Sequence, residues 1–160
     1  MERGRHYPIS VLMVDVDGLK DTNDRRGHAG GDSLLRRTAA VLRAAFRAED
    51  VVARVGGDEF AVLLPSVDAG AAAEAVGRLK AALTAHNRDR DGVPLSLSMG
   101  VATAQKGSGL AAALTTADAL MYRDKEVRRA ERVATAGAGR QRREPAETSP
   151  AIEPGPLVSY

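Results

Sequence analysis

The chain has 160 residues, 44% apolar and 28% charged, the profile of one soluble globular domain, and no cysteine, which excludes a disulfide framework, a thiolate metal site and a cysteine nucleophile. Aromatic residues are only 3% of the chain, so its core has to be assembled from aliphatic side chains. The formal charge of +2 is unevenly spread: residues 126–143 carry six Arg against two Glu, the segment 144–160 carries three Glu and no base, and the rest is nearly balanced, so a nucleic-acid partner is not expected.

In chain order, Ile9 to Val14 is an unbroken β-branched and aliphatic run that ends on Asp15 and Asp17, the pattern of a buried strand. Those acids come too soon for a secretory leader, and no run approaches the ~18 apolar residues of a spanning helix, so a cytoplasmic location is expected. A polar stretch, Gly18 to Gly27, precedes apolar pairs at Leu34/Leu35, Val41/Leu42 and Ala45/Phe46, a helical spacing. Val51 to Val55 and Phe60 to Leu64 form two short strands joined through Gly56-Gly57, a β-hairpin signal. Ala72, Val76, Leu79 and Leu83 mark a second helix, Leu95 to Ala102 a further strand, and Leu110, Leu114, Ala117 and Met121 a last helix. The order β-α-β-β-α-β-α predicts an α+β domain in the ferredoxin-like style, a largely antiparallel sheet backed by helices. Beyond Ala134 the composition turns to Gly, Ala, Arg, Pro, Glu and Ser without periodicity, so the domain is expected over 1–134 and a disordered tail over 135–160.

The chemistry is expected where strands end in carboxylates. Asp15 and Asp17 close the first strand, their side chains are expected on opposite faces, and one of them meets the hairpin tip, where Asp58 and Glu59 follow the two glycines. Like charges crowded into a partly buried place repel, and a divalent cation relieves that repulsion. Oxygen donors without nearby His or Cys suit Mg²⁺ or Mn²⁺. On spacing alone, acids that merely end strands and face water are the somewhat commoner case, and most Gly-Gly-Asp turns bind nothing.

Gly56-Gly57-Asp58-Glu59-Phe60 resembles the signature of the GGDEF family, the bacterial diguanylate cyclases. The stretch from Asp15 to Leu35 is similar to that family's D-x-D-x-F-K-x-x-N-D-x-x-G-H-x-x-G-D-x-x-L pattern. Ser98 to Ala102 resembles the strand before the family's last helix, and Ala117 to Lys125 with Arg129 resembles its A-D-x-A-L-Y-x-A-K-x-x-G-R helix. The resemblance covers about residues 9–130 and implies a fold like the palm of adenylate cyclases and polymerases. It implies condensation of two GTP into cyclic di-GMP and two pyrophosphates at a transient homodimer interface, the 3′-hydroxyl of each nucleotide attacking the α-phosphorus of the other.

Carried over position by position, the resemblance implies metal ligation by Asp15, the main-chain carbonyl of Val16 and Asp58, with Mg²⁺ or Mn²⁺ as cofactor, and makes Asp58 or Glu59 the catalytic carboxylate. It assigns Asn23 and Asp32 to the guanine edge, His28 to buttressing that pocket, and Lys20, Lys125 and Arg129 to the phosphates. Arg47-Ala-Glu-Asp50 resembles the family's R-x-x-D inhibitory site, to which Arg78 would add a contact, making cyclic di-GMP an inhibitor as well as the product. Three departures stand out. Leu19 replaces Phe, a volume loss that a neighbouring core residue can absorb. Asp124 and Arg128 stand where a small residue and Gly are usual, and a carboxylate beside Lys125 is expected to weaken triphosphate binding. The helix and D-x-L-T-x-L-x-N-R segment that precede the first strand in the family are absent, so exposed apolar surface and impaired turnover are expected. The alternative reading is a catalytically impaired module that binds cyclic di-GMP or GTP as a sensor.

Overall fold

The structure is a computed structural model that describes residues 7–89 and 92–141. The elements run β1 (Ile9–Val16), α1 (Leu19–Ala45), β2 (Val51–Arg54), β3 (Glu59–Pro65), α2 (Ala69–Arg88), β4 (Leu97–Ala104) and α3 (Leu110–Gln141). This is the expected order. The last strand lies two residues later than its apolar run suggests, because the chain from Val93 to Ser96 first crosses from α2 to the sheet edge.

The sheet is ordered β2-β3-β1-β4 and every neighbouring pair is antiparallel. β1 is central and buried at all eight positions, which explains its unbroken hydrophobicity, whereas β3 alternates between buried and half-buried residues. One face of the sheet packs Leu12, Val14, Phe60, Val62, Leu97 and Met99 against Leu34, Leu42 and Leu79 of α1 and α2. On the other face Val11 and Met13 meet Ala117 and Met121 of α3. That second cluster is smaller, and α3 lies over β1 and β4, so Val51, at the outer end of β2, stays 53% exposed.

Two local features place the site. α1 is broken at Gly27, whose φ of 70° and ψ of 178° are open to glycine and strained for other residues, so the first turns, with Lys20 and Asn23, are angled away from the packed second half. The helix α3 does not end at Ala134, as the composition suggests, but continues to Gln141 in spite of Gly137 and Gly139, since adding residues to a helix already nucleated on the sheet costs less than starting one. Residues 142–160, the remainder of the expected tail, lie outside the described residues.

Candidate active site

The candidate site forms where the C-terminal end of β1, the β2–β3 hairpin tip and α3 converge. Asp15 pairs across the sheet with Glu59 on one side and Ser98 on the other. Just beyond that pair the Val16 amide donates to the Asp58 carbonyl at 2.8 Å, fixing the tip against β1. Hairpin pairing thus brings the two expected metal-binding carboxylates to one place, with Glu59 beside them.

Asp15 is 2% exposed, and its Oδ2 accepts from Lys125 Nζ at 2.9 Å. Its Oδ1 is buried without a hydrogen-bond partner. Burial pushes the Asp15 carboxyl above its ordinary range; the Lys125 hydrogen bond offsets part of this, and the charges of Asp58 and Asp17 add to it. For Lys125 the largest effect is burial, which disfavours its charge, but the hydrogen bond and charge of Asp15, with Asp58 and Asp17 behind it, together raise its pKa.

This geometry tests the expected cation. Among the described residues no three His, Asp or Glu side chains gather into a metal-binding cluster. The proposed donor set needs only two carboxylates and one carbonyl, and an orphaned buried oxygen on Asp15 is the kind of acceptor that a hard cation satisfies. The residues present therefore fit Mg²⁺ or Mn²⁺.

Asp15 and Asp17 do not point to opposite faces. Residues two apart share a face of a strand, and both carboxylates lie on the α3 side, Asp15 with Lys125 and Asp17 with Arg132 at 3.6 Å. Asp17 is buried and accepts from Ser96 Oγ at 2.6 Å and Ser98 Oγ at 2.7 Å. Its place in D-x-D drew attention to it, but only the Ser-x-Ser spacing at 96 and 98 signals its partners.

The remaining expected residues surround this centre. Lys20 is exposed on the first turn of α1, and Arg129 is exposed one turn after Lys125. Asn23 is half-buried, and a Cβ on Gly31 would collide with its side chain, so the two halves of α1 are folded closely enough to hold that amide in place. The Asn23 Oδ1 is, like Asp15 Oδ1, buried without a partner. His28 and Asp32 are exposed beyond the Gly27 break.

Arg47, Asp50 and Arg78 form a separate group. All three line one cavity of about 120 Å³ with Leu64 and Glu74, toward the end of β3 opposite the hairpin tip. The Asp50 carboxylate accepts from the Arg47 amide at 2.8 Å, closing the turn between α1 and β2.

Two contributors escaped sequence reasoning. Arg54 donates from its guanidinium to the carbonyls of Gly56 and Gly57, at 3.1 and 2.8 Å, bracing the turn that carries Asp58 and Glu59. Asp124 is directed away from the triphosphate region expected near Lys125: its Oδ2 accepts from the Met99 amide at 2.8 Å and from Arg128 Nε at 3.1 Å. The two departures in this helix are thus partners of each other.

Comparison with known proteins bears on the family and the fold. The family model described as "Diguanylate cyclase, GGDEF domain" matches residues 1–131. Diguanylate cyclase TpbB of Pseudomonas aeruginosa is 42% identical over 118 residues, 71% of this chain and 27% of the relative. Diguanylate cyclase A of Treponema denticola is 31% identical over 121 residues, 74% of this chain and 33% of the relative. The chain therefore spans about a third or less of the length of these curated relatives. Among solved structures, the isolated GGDEF domain of TpbB is 40% identical with a TM-score of 0.66, covering 74% of this chain and 71% of that one. The GGDEF domain of DgcB from Caulobacter crescentus, in complex with c-di-GMP, is 27% identical with a TM-score of 0.66, covering 74% and 72%. The chain belongs to the GGDEF family of diguanylate cyclase domains.

Proposed function

We propose that this chain is a diguanylate cyclase domain that condenses two GTP into cyclic di-GMP and two pyrophosphates. The observation that carries the reading is the buried Asp15 carboxylate, with one oxygen on Lys125 and the other unpartnered, beside the hairpin tip that bears Asp58. Asp15, the Val16 carbonyl and Asp58 are the residues that would hold Mg²⁺ or Mn²⁺. The chemistry supplied by a divalent ion there is acidification of the attacking 3′-hydroxyl and neutralisation of charge on the α-phosphate and leaving pyrophosphate.

The chain's own residues supply the rest. The amide of Asn23 and the carboxylate of Asp32 match acceptor and donor groups on the guanine edge, and His28 buttresses that pocket. Lys20, Lys125 and Arg129 hold the phosphates; the last two, four apart on α3, face the same way. Asp58 or Glu59 accepts the proton of the 3′-hydroxyl as its oxygen bonds to the α-phosphorus of the second GTP and pyrophosphate departs. One chain holds one GTP, so two chains meet transiently as a homodimer and the step occurs twice. Cyclic di-GMP then restrains turnover from the cavity of Arg47, Asp50 and Arg78. The folded unit, expected over 1–134, is taken to extend through the end of α3 at Gln141 and to act in the cytoplasm.

The test is incubation of the purified chain with Mg²⁺ and GTP. Cyclic di-GMP is expected, at a rate per chain that rises with protein concentration. Asp58→Ala and Glu59→Ala each lower kcat by at least ~10²-fold, since removal of one acid–base or charge-stabilising group costs about 10²–10⁴. Absence of product at high protein concentration with dimerisation enforced overturns the cyclase reading. A second reading, a sensor that binds cyclic di-GMP without turnover, draws on the Arg47–Asp50–Arg78 cavity lying apart from the carboxylates. Calorimetry separates it: tight binding of cyclic di-GMP, lost in Arg47→Ala, in a chain without turnover favours the sensor.

A further inference from the structure

We propose that Asp124 is a positioning residue that sets the register of α3 on the sheet and thereby places Lys125 over Asp15; the inference rests on the cyclase reading for its effect on turnover.

β4 is an outer strand, so the Met99 amide on its open side has no strand partner and takes the Asp124 carboxylate instead, at 2.8 Å. Met99 lies across from Val14, and the next residue of β1 is Asp15, which receives Lys125 at 2.9 Å. Adjacent residues of α3, 124 and 125, are thus bonded to adjacent levels of the sheet. Sliding α3 by one residue moves each group about 1.5 Å, which lengthens and misaligns both bonds.

Apart from the Lys125–Asp15 bond itself, the other ties described between α3 and the sheet are less directional. A Cβ on Gly100 would collide with the main chain of Ala117, Leu120 and Met121, so helix and strand meet there backbone to backbone. Such a contact fixes the separation of the two elements but offers no interlocking side chain to fix their axial position. The neighbouring apolar contacts, Ala117 and Met121 on Val11 and Met13, combine a small side chain with a flexible one. Arg132 reaches Asp17 at 3.6 Å from a half-exposed position, a looser tie. The Asp124–Met99 bond is short and directional and, unlike the Lys125–Asp15 bond at the end of a long flexible side chain, joins a short side chain to the main chain of the sheet. Arg128, four residues on and also bonded to the same Asp124 oxygen, restricts the carboxylate to that side.

The test compares Asp124→Ala, Asp124→Asn and Arg128→Ala in the full chain. Asparagine keeps an acceptor for the Met99 amide; alanine does not. In Asp124→Ala, kcat/KM for GTP is expected to fall on the order of tenfold, carried by KM, since a small misplacement of a substrate-holding group costs binding geometry. Asp124→Asn recovers most of that loss, and Arg128→Ala changes it less than Asp124→Ala does. A purely structural role leaves a smaller folded fraction, which lowers apparent kcat at constant KM. Amide exchange provides an arm independent of turnover. The Met99 amide is slow in the wild type and in Asp124→Asn and fast in Asp124→Ala, with Lys125 resonances shifting only in the last. Equal losses in Asp124→Ala and Asp124→Asn, unchanged KM in both, or a Met99 amide indifferent to position 124 overturns the proposal. A wild type without turnover refutes the cyclase reading, and the amide and Lys125 resonances then decide whether Asp124 sets the register.

Discussion

At the scale of single residues, Asp15 is held in a place that suits a reaction better than it suits stability. Its folded pKa lies above its ordinary value because burial, only partly offset by Lys125, penalises the charge. The folded protein therefore binds this proton more tightly than the unfolded chain does. Its contribution to stability is full below the ordinary carboxylate pKa and is lost as pH rises through the higher folded value. Asp15→Asn, measured by denaturant unfolding in the presence of a chelator, is expected to be more stable than the wild type at neutral pH. It should also flatten the dependence on pH in the window just above the ordinary carboxylate value, and abolish turnover. A variant less stable than the wild type throughout that window would contradict the account. How this residue was legible is instructive. That one of Asp15 and Asp17 meets the hairpin tip could be read from an apolar run and a Gly-Gly turn; that it is Asp15 which pairs across from Glu59 comes from the register of β1 on β3. That Asp15 and Asp17 share a face follows from strand period alone, and the expectation of opposite faces was an error of that geometry. The serine partners of Asp17 were signalled only by the Ser-x-Ser spacing at 96 and 98, and the partner of Asp124 was not legible, since it depends on which sheet edge α3 covers.

At the scale of elements, close approach decides two positions differently. A methyl group on Gly100 meets the main chain of α3, which cannot turn aside. Gly100→Ala is expected to cost about 1–3 kcal/mol, the usual penalty for overpacking, seen as a lower denaturation midpoint. A methyl group on Gly31 meets only the side chain of Asn23, which can swing away. Gly31→Ala should leave the midpoint nearly unchanged while weakening GTP binding, because the group that moves is the one assigned to guanine. Equal effects on stability would remove the distinction. The sequence spacing identified the second half of α1 and the middle of β3, but the first half of α1, a polar stretch without apolar period, and the extension of α3 to Gln141 were hidden. Composition changes there and two glycines, Gly137 and Gly139, read as stop signals, but no proline stands before Pro145 to end a helix already under way.

At the scale of the whole molecule, the two faces of the sheet are unequally covered. α1 and α2 enclose one face completely enough that Leu12 is 0% exposed, whereas α3 covers only part of the other and leaves Val51 and Val55 more than half exposed. Leu12→Ala is expected to cost about 2–5 kcal/mol, and Val51→Thr about 0.5 kcal/mol or less; comparable losses at the two positions would show that the open half is not open in solution. The capped amide of Met99 has a consequence for how copies of this chain meet. A sheet grows by adding strands along its rims, and on β4 one outward amide is already bound to the helix above it. The other rim is β2, a strand of four residues that stops at Arg54, whose guanidinium is turned back onto the hairpin. With the Met99 amide taken on one rim and the other rim only four residues long, both are poorer templates for a further strand, which disfavours fusion of sheets between copies.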